Sequence, residues 1–451
     1  MVVTKGTLLN WGYWLALGAL LVYLGGWHHP DSDEGFVLEG AWGLLQGRAL
    51  YTEVFQYVPP GSFYALFWIW KAFGAHYFLA EALGIISLLL TAAAIFRTGA
   101  LLGGMSPACY FGPLLYCLAS VMWPAINHNT FNAVFLSWAL YFCTKGISTR
   151  SHWDFAAAGL FTGLSMLFLL HKGAAVFAVV LVFLLTSRDE RPIRLRLTFA
   201  LFSLVPLLLL LHWPLPLLME DLVKFPMQHY LAVNQVSSLP LAVGLCCTAL
   251  VCFFLKDSLS RQVTLIFLVQ MALFATALQR TDWSHTLVVL FPLLSLLPLA
   301  HEKAENGTRF MRHADAWVTV LAAFAAIIPV MAVSFVRMSP HEGEHENRLI
   351  DYLDSDCPSF YAGPFLPGLY YEAKKRNPVS FSVLLTGFNT VAQFKSAAME
   401  LRASPPRCAV VDYAMVRKFG YSRQNPVDRF IMENYMLSRT YGEISVYVLG
   451  K

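Results

Sequence analysis

The chain has 451 residues, of which 57% are hydrophobic and only 13% charged, with a formal net charge of +4 and a mean hydropathy of +0.55. Soluble domains carry roughly 25% charged residues, so this composition excludes an ordinary soluble protein and points to a polytopic membrane protein. The net charge is too small to suggest a nucleic-acid partner.

One basic residue, Lys5, precedes an apolar run from about Leu8 to Trp27. The run is long enough to span a bilayer and no small-residue cleavage site follows, so it reads as an uncleaved first helix. Directly after it come His28-His29 and then Asp31-Ser32-Asp33-Glu34-Gly35. Carboxylates packed this closely at a membrane boundary are costly unless they face water. Residues 34–47 place Phe36, Val37, Ala41, Leu44 and Leu45 on one helical face, which predicts a helix lying in the interface. Two readings of the acids stay open at this point: capping of that helix, or a reactive base beside a membrane cavity. The segment closes at Tyr57-Val58-Pro59-Pro60-Gly61, and 61–74 is apolar but short and carries Lys71, as an interfacial or re-entrant helix would.

Further apolar runs recur at 77–96, 107–126, 129–145, 154–170, 172–187, 197–213, 240–256, 262–279, 284–300 and 315–336, which with the first makes about eleven transmembrane helices. If 61–74 does not cross, every basic loop falls on the N-terminal side: Arg97, Lys145 with Arg150, Arg188–Arg196, Lys256 with Arg261, and Lys303–Arg312. The positive-inside bias then puts the N-terminus in the cytoplasm and residues 337–451 outside. The expected organisation is a transmembrane domain over 1–336, with its first outer loop at 28–76, and an extracytoplasmic domain over 337–451.

In that tail, Ser380–Leu385, Cys408–Tyr413 and Ile444–Leu449 read as strands, and Val391–Arg402 and Pro426–Met436 as helices, as in a small α/β domain. Cys357 and Cys408 lie there and are free to pair in an oxidising compartment, although the sequence does not decide it.

The same topology places the unusual polar residues on the outer side. These are the acid cluster, Asn127-His128-Asn129, His171-Lys172, the loop 214–239 with Asp221 and His229, and Arg280-Thr281-Asp282-Trp283-Ser284-His285. Lys172 either snorkels to headgroups or meets an anion. Arg280 offers a planar fork for phosphate oxygens that Asp282 would orient, or forms an interfacial ion pair beside Trp283. Asn127 and His128 either satisfy helix ends or contact a substrate.

Asp33-Glu34-Gly35, Ala41, Leu44-Leu45, Gly47, Leu50-Tyr51 and Pro59-Pro60-Gly61 resemble the first outer loop of GT-C membrane glycosyltransferases. The resemblance is to the protein O-mannosyltransferase and lipid A aminoarabinose transferase superfamily. In weaker form it extends through the span pattern and the outer domain. One departure is Val58, where relatives often have Lys or His before Pro-Pro. The resemblance implies inverting transfer of a sugar from a polyprenyl-phosphate donor to an acceptor hydroxyl on a lipid, glycan or protein, at the outer face of the membrane. The compact loops and short N-terminal stretch fit a bacterial inner membrane. The resemblance also implies Asp33 as catalytic base, Glu34 as its tuning partner and Asp31 as the alternative base. Lys172, Arg280, Asp282 and His285 would then hold the donor phosphate, and His171, Tyr57, Asn127, His128 and His229 are further substrate-binding candidates. No cofactor is required; a divalent cation held near His28-His29 is an option. A transporter or flippase of lipid-linked sugars, and a scaffold presenting the tail, are the competing classes. A transporter would carry polar groups deep within its spans rather than at one rim.

Overall fold

The computed structural model describes residues 5–25, 33–121, 125–186, 193–230, 238–278, 280–306 and 341–450. Two compact units result, one of Met1–Trp27, Glu81–His212 and Val236–Phe335, the other of His28–Ala80, Trp213–Gln235 and Val336–Lys451. Contacts thus group the first outer loop with the tail. The reason is a set of hydrogen bonds across more than 300 residues of chain, described below.

In chain order the helices begin with α1 (Lys5–Gly25), α2 (Asp33–Leu45), α3 (Gly61–Phe73) and α4 (Tyr77–Gly103). Then come α5 (Phe111–Ser120), α6 (His128–Thr149), α7 (His152–Met166), α8 (Leu170–Thr186) and α9 (Ile193–Leu204). The short α10 (Leu215–Met219) and α11 (Phe225–His229) flank a π-helical turn, Glu220–Lys224. The series continues with α12 (Ser238–Leu255), α13 (Arg261–Ala277), α14 (Trp283–Leu287), α15 (Phe291–Leu294) and α16 (Leu297–Glu305).

The count of eleven spans is not reproduced by helix length and composition. Among the described residues three helices are long and apolar enough to cross a membrane, Tyr77–Gly103, Ile193–His212 and Leu239–Ser258. A fourth span is possible as the pair His285–Leu294 and Leu297–Glu305, bent by 53°. Several of the other runs are helical yet shorter or more polar. Helix α5 has only 10 residues, and α6 opens with His128, Asn129, Thr130 and Asn132. The run at 315–336 lies outside the described residues. Helix α3, with 13 residues, is about 20 Å long, well short of the ~30 Å hydrocarbon core. It buries Phe63, Leu66 and Trp70, exposes Trp68 and Phe73, and lays Lys71 over the rings of Phe67 and Trp68. That pattern suits the membrane interface.

The first unit packs by small residues. Gly159 and Gly163 sit on the face of α7 that meets α9, where an added Cβ would come within 2.3 Å of the Phe199 carbonyl and 2.2 Å of the Ser203 carbonyl. Backbones that close leave no room for any side chain, the small-xxx-small solution for helices that gain nothing from burial against lipid. The α6–α7 turn is latched by Asp154, which accepts from Lys145 Nζ and from Thr149 Oγ1, each at 2.8 Å.

In the second unit a four-stranded sheet has the order β1-β2-β4-β3, with β1 (Phe360–Gly363), β2 (Cys408–Asp412), β3 (Tyr435–Tyr441) and β4 (Ile444–Leu449). β1 and β2 are parallel and the other pairings antiparallel. Alternate residues feed two cores. Phe360, Ala362, Cys408 and Val410 pack with Leu349 and Leu353 of the helix His341–Asp356. Tyr361, Ala409 and Val411 pack with Phe394 and Leu401 of Val391–Ala403 and with Phe430. The two strands read from Cys408 and Ile444 are thus present. Ser380–Leu385 is not a strand of the sheet; its extended backbone instead bridges Phe55, and Phe55 N–H donates to the Ser380 carbonyl at 2.9 Å. The helix read to Met436 ends at Asn434 and turns directly into β3.

Cys357 and Cys408 form a disulfide closing a sequence separation of 51 residues and joining that first tail helix to β2. Replacing Cys357 by serine should cost the tail about 2–4 kcal/mol. Faster proteolysis of residues 341–450 in the variant, matched by wild type under reductant, is the check; equal protection would contradict it.

Candidate functional site

In the second unit, α2 begins with the two acids. Asp33 is half-buried, whereas Glu34 is 0% exposed and accepts a 2.5 Å hydrogen bond from Tyr77 Oη. A hydrogen bond this short fixes the acceptor's rotamer. Tyr77 opens α4, so Glu34 ties the acid-bearing turn to the start of the next long helix. Asp33 is left as the more accessible carboxylate of the pair. Asp31, His28 and His29 lie outside the described residues. Among the described residues no three of His, Cys, Asp and Glu gather as a metal site.

The turn before α3 is held by Tyr51. This residue has φ 67°, a left-handed backbone that a bulky side chain seldom adopts. Its hydroxyl donates to the Val58 carbonyl at 2.8 Å, pinning the residue that precedes Pro59-Pro60. Two of the substrate-binding candidates sit in one aromatic cluster here. The Tyr57 ring lies 4.8 Å from that of Phe388 and 5.5 Å from that of Phe36, and the His229 ring lies 4.8 Å from that of Phe225.

Asp221 was legible only as one charge in a loop. It lies in the π-helical turn, 6% exposed, and among the described residues no hydrogen bond reaches its carboxylate. Burial first, then the neighbouring Glu220, push it up to about 7. A carboxylate whose folded pKa is raised binds its proton in the native state and loses it in the unfolded one, so stability falls as pH rises from about 4 toward 7. Asp221→Asn should therefore raise the melting temperature at pH 8, and the gain should close at pH 4. An equal effect at both pH values would contradict the assignment.

The first unit carries a cationic cluster. Lys172, in the first turn of α8, is 3% exposed and donates to Asn129 Oδ1 at 2.6 Å. A lysine buried and bonded in this way does not snorkel. Arg280 Nε donates to Asp282 Oδ2 at 3.0 Å, so the anticipated ion pair forms, with Trp283 exposed beside it. His285 Nδ1 lies 2.8 Å from Asp282 Oδ1, and His285 N–H donates to the same oxygen at 2.9 Å. Burial would raise the Asp282 pKa, but the hydrogen bonds and charge of His285, then the charge of Arg280, outweigh it and hold Asp282 at about 2. Asp282 therefore remains an anion that fixes both partners. Lys172, His171, His285 and Asp282 lie within Coulombic reach of one another. His171 is exposed.

The Asn127 side chain is engaged as the cap of α6, accepting from Thr130 N–H at 2.9 Å, and His128 is buried beside it. Asn127 and Asn129 line a cavity of about 20 Å³ with Ser120, Thr130, Leu287 and Val288, room for roughly one water. Sequence reasoning missed two hydroxyls. Thr281 and Thr286 are each 1% exposed, and their Oγ1 atoms have no hydrogen-bond partner among the described residues. Unsatisfied buried donors flanking Asp282 and His285 fit a place where a polar ligand or water completes the set.

No protein-family model matches the chain, and no curated protein matches its sequence. Its fold has solved counterparts. The crystal structure of ArnT from Cupriavidus metallidurans bound to undecaprenyl phosphate matches with a TM-score of 0.66 at 15% identity, over 99% of this chain and 98% of that one. The same protein in the apo state matches with a TM-score of 0.60 at 15% identity, over 97% and 98%. The chain therefore has an ArnT-like fold over nearly its whole length.

Proposed function

We propose that this protein is an inverting glycosyltransferase that moves a sugar from a polyprenyl-phosphate donor to an acceptor hydroxyl. The observation that carries the reading is the cationic cluster of Lys172 and Arg280, ordered by Asn129 and Asp282, in a fold whose solved example binds undecaprenyl phosphate. A transporter reading gives the acid pair at the head of α2 no role. A scaffold has no use for either group.

In the proposed reaction, Asp33 takes the proton from the acceptor hydroxyl as its oxygen attacks the anomeric carbon. The bond from that carbon to the phosphate oxygen breaks, and the anomeric centre inverts. Polyprenyl phosphate leaves with the bonding electron pair, and Lys172 and Arg280 stabilise the charge that develops on it. Glu34, held by Tyr77, fixes the turn that presents Asp33. His285 and Asp282 orient the Arg280 fork. Val58 before Pro-Pro supplies no positive contact of its own.

The proposed site faces the periplasm of a bacterial inner membrane. Two observations support this side. The three segments of the second unit are those that the basic loops put opposite the cytoplasm, and that unit holds a disulfide, which persists in oxidising compartments.

Purified protein in lipid nanodiscs, given a polyprenyl-phosphate-linked sugar and a hydroxyl acceptor, should release free polyprenyl phosphate and a product of inverted anomeric configuration. Retained configuration would overturn the single-displacement mechanism. Absence of any release across hexose, pentose and amino-sugar donors would overturn the assignment.

A further inference from the structure

Helix α2 does not hold its acids in place alone. Its middle carries Glu39, 2% exposed, one and a half turns beyond Glu34. The Glu39 carboxylate accepts from Ser382 Oγ at 2.6 Å and from Asn377 Nδ2 at 3.3 Å, with Arg48 Nη1 at 3.8 Å. Arg48 reaches the same stretch of chain, donating to the Val379 carbonyl at 2.9 Å and the Asn377 carbonyl at 3.4 Å. Gln56 Nε2 donates to Ser382 Oγ at 3.4 Å, next to the backbone bridge from Phe55.

Residues 377–382 are themselves fixed from the tail side. Ser380 N–H and Oγ both donate to Glu400, at 2.7 and 3.0 Å, and Glu400 belongs to the helix Val391–Ala403 that packs on the sheet. Asn377 Oδ1 accepts from Val379 N–H at 3.0 Å. Hydrogen bonds therefore lead from the tail helix through Glu400 to Ser380, and, two residues further along the chain, from Ser382 to Glu39 on α2, the helix that begins at Asp33.

We propose that residues 377–382 are a buckle that sets the position of the acid-bearing end of α2, with Glu39, Arg48 and Ser382 as positioning residues. A buried carboxyl group that receives several donors holds its helix in one register, because any shift leaves buried polar groups unsatisfied. The tail then acts as part of the machinery that aims Asp33, and its sheet is the rigid base of that machinery.

The test combines hydrogen exchange with kinetics. Its exchange arm is independent of the transferase reading; its kinetic arm rests on it. In Ser382→Ala and Glu39→Gln, amide exchange over residues 33–45 should accelerate about tenfold, the effect of losing one buried hydrogen bond, while exchange over 391–403 stays unchanged. Turnover should fall about tenfold with donor KM within about twofold, the signature of lost positioning rather than lost binding. Ser382→Thr, which keeps the hydroxyl, should restore both. Unchanged exchange over 33–45 in either folded variant overturns the buckle, and accelerated exchange with unaltered turnover overturns its positioning role. Accelerated exchange where even the wild type shows no transfer supports the buckle and removes the transferase reading alone.

Discussion

Asp33→Asn is expected to lower turnover by about 10²- to 10⁴-fold, the usual contribution of a general base, with donor affinity within a few fold of wild type. Asparagine keeps the size and polarity of the side chain but cannot take the acceptor proton. Asp33 is half-buried at the head of α2, so the substitution leaves no buried partner unsatisfied and the melting temperature should hold. Glu34→Gln is the informative contrast. Glu34 is fully buried under the Tyr77 hydroxyl, and weakening that bond should cost roughly 1–3 kcal/mol of stability together with activity. An Asp33→Asn protein with full turnover would move the base to Asp31 or Glu34.

Arg280→Ala is expected to weaken donor binding by about 10- to 150-fold, the worth of a charge-assisted contact of some 1.5–3 kcal/mol to a phosphate. Lys172→Ala should act in the same direction, since its ammonium is buried on Asn129. Arg280→Lys should recover only part of the loss, because a point charge does not replace a two-pronged donor. Equilibrium binding of a polyprenyl phosphate to each purified variant is the readout. If Arg280 serves only the ion pair with Asp282, its removal will lower thermal stability and leave lipid affinity unchanged. That result would remove Arg280 from the phosphate site.

Much of this was legible in the chain because membrane helices announce themselves locally. The apolar runs gave helices at α1, α4 and α6–α9, and the acid string marked the start of α2 within one residue. Span number was not legible from runs alone. Hydropathy does not reveal that α5 stops after 10 residues or that the run at 284–300 breaks at a 53° bend. β1 escaped because Phe360–Gly363 is buried on both faces and so lacks the alternation that marks a half-exposed strand.

The candidate site divides along the same line. Asp33, Glu34, Lys172 and the Arg280–His285 string are each conspicuous as charges set against apolar sequence. Their partners are not. Tyr77 reads as an ordinary interfacial aromatic, and Glu39 meets Asn377 across 338 residues. No spacing rule connects residues so distant; only the folded chain joins them.

The central claim is that this molecule takes its sugar from a lipid-linked phosphate donor. Mass spectrometry of lipids co-purified with wild type and with Asp33→Asn tests it most directly. The account predicts a polyprenyl-phosphate sugar retained preferentially by Asp33→Asn, because the variant binds the donor and cannot consume it. A folded Asp33→Asn protein with no such lipid, beside an equally lipid-free wild type, would contradict the claim.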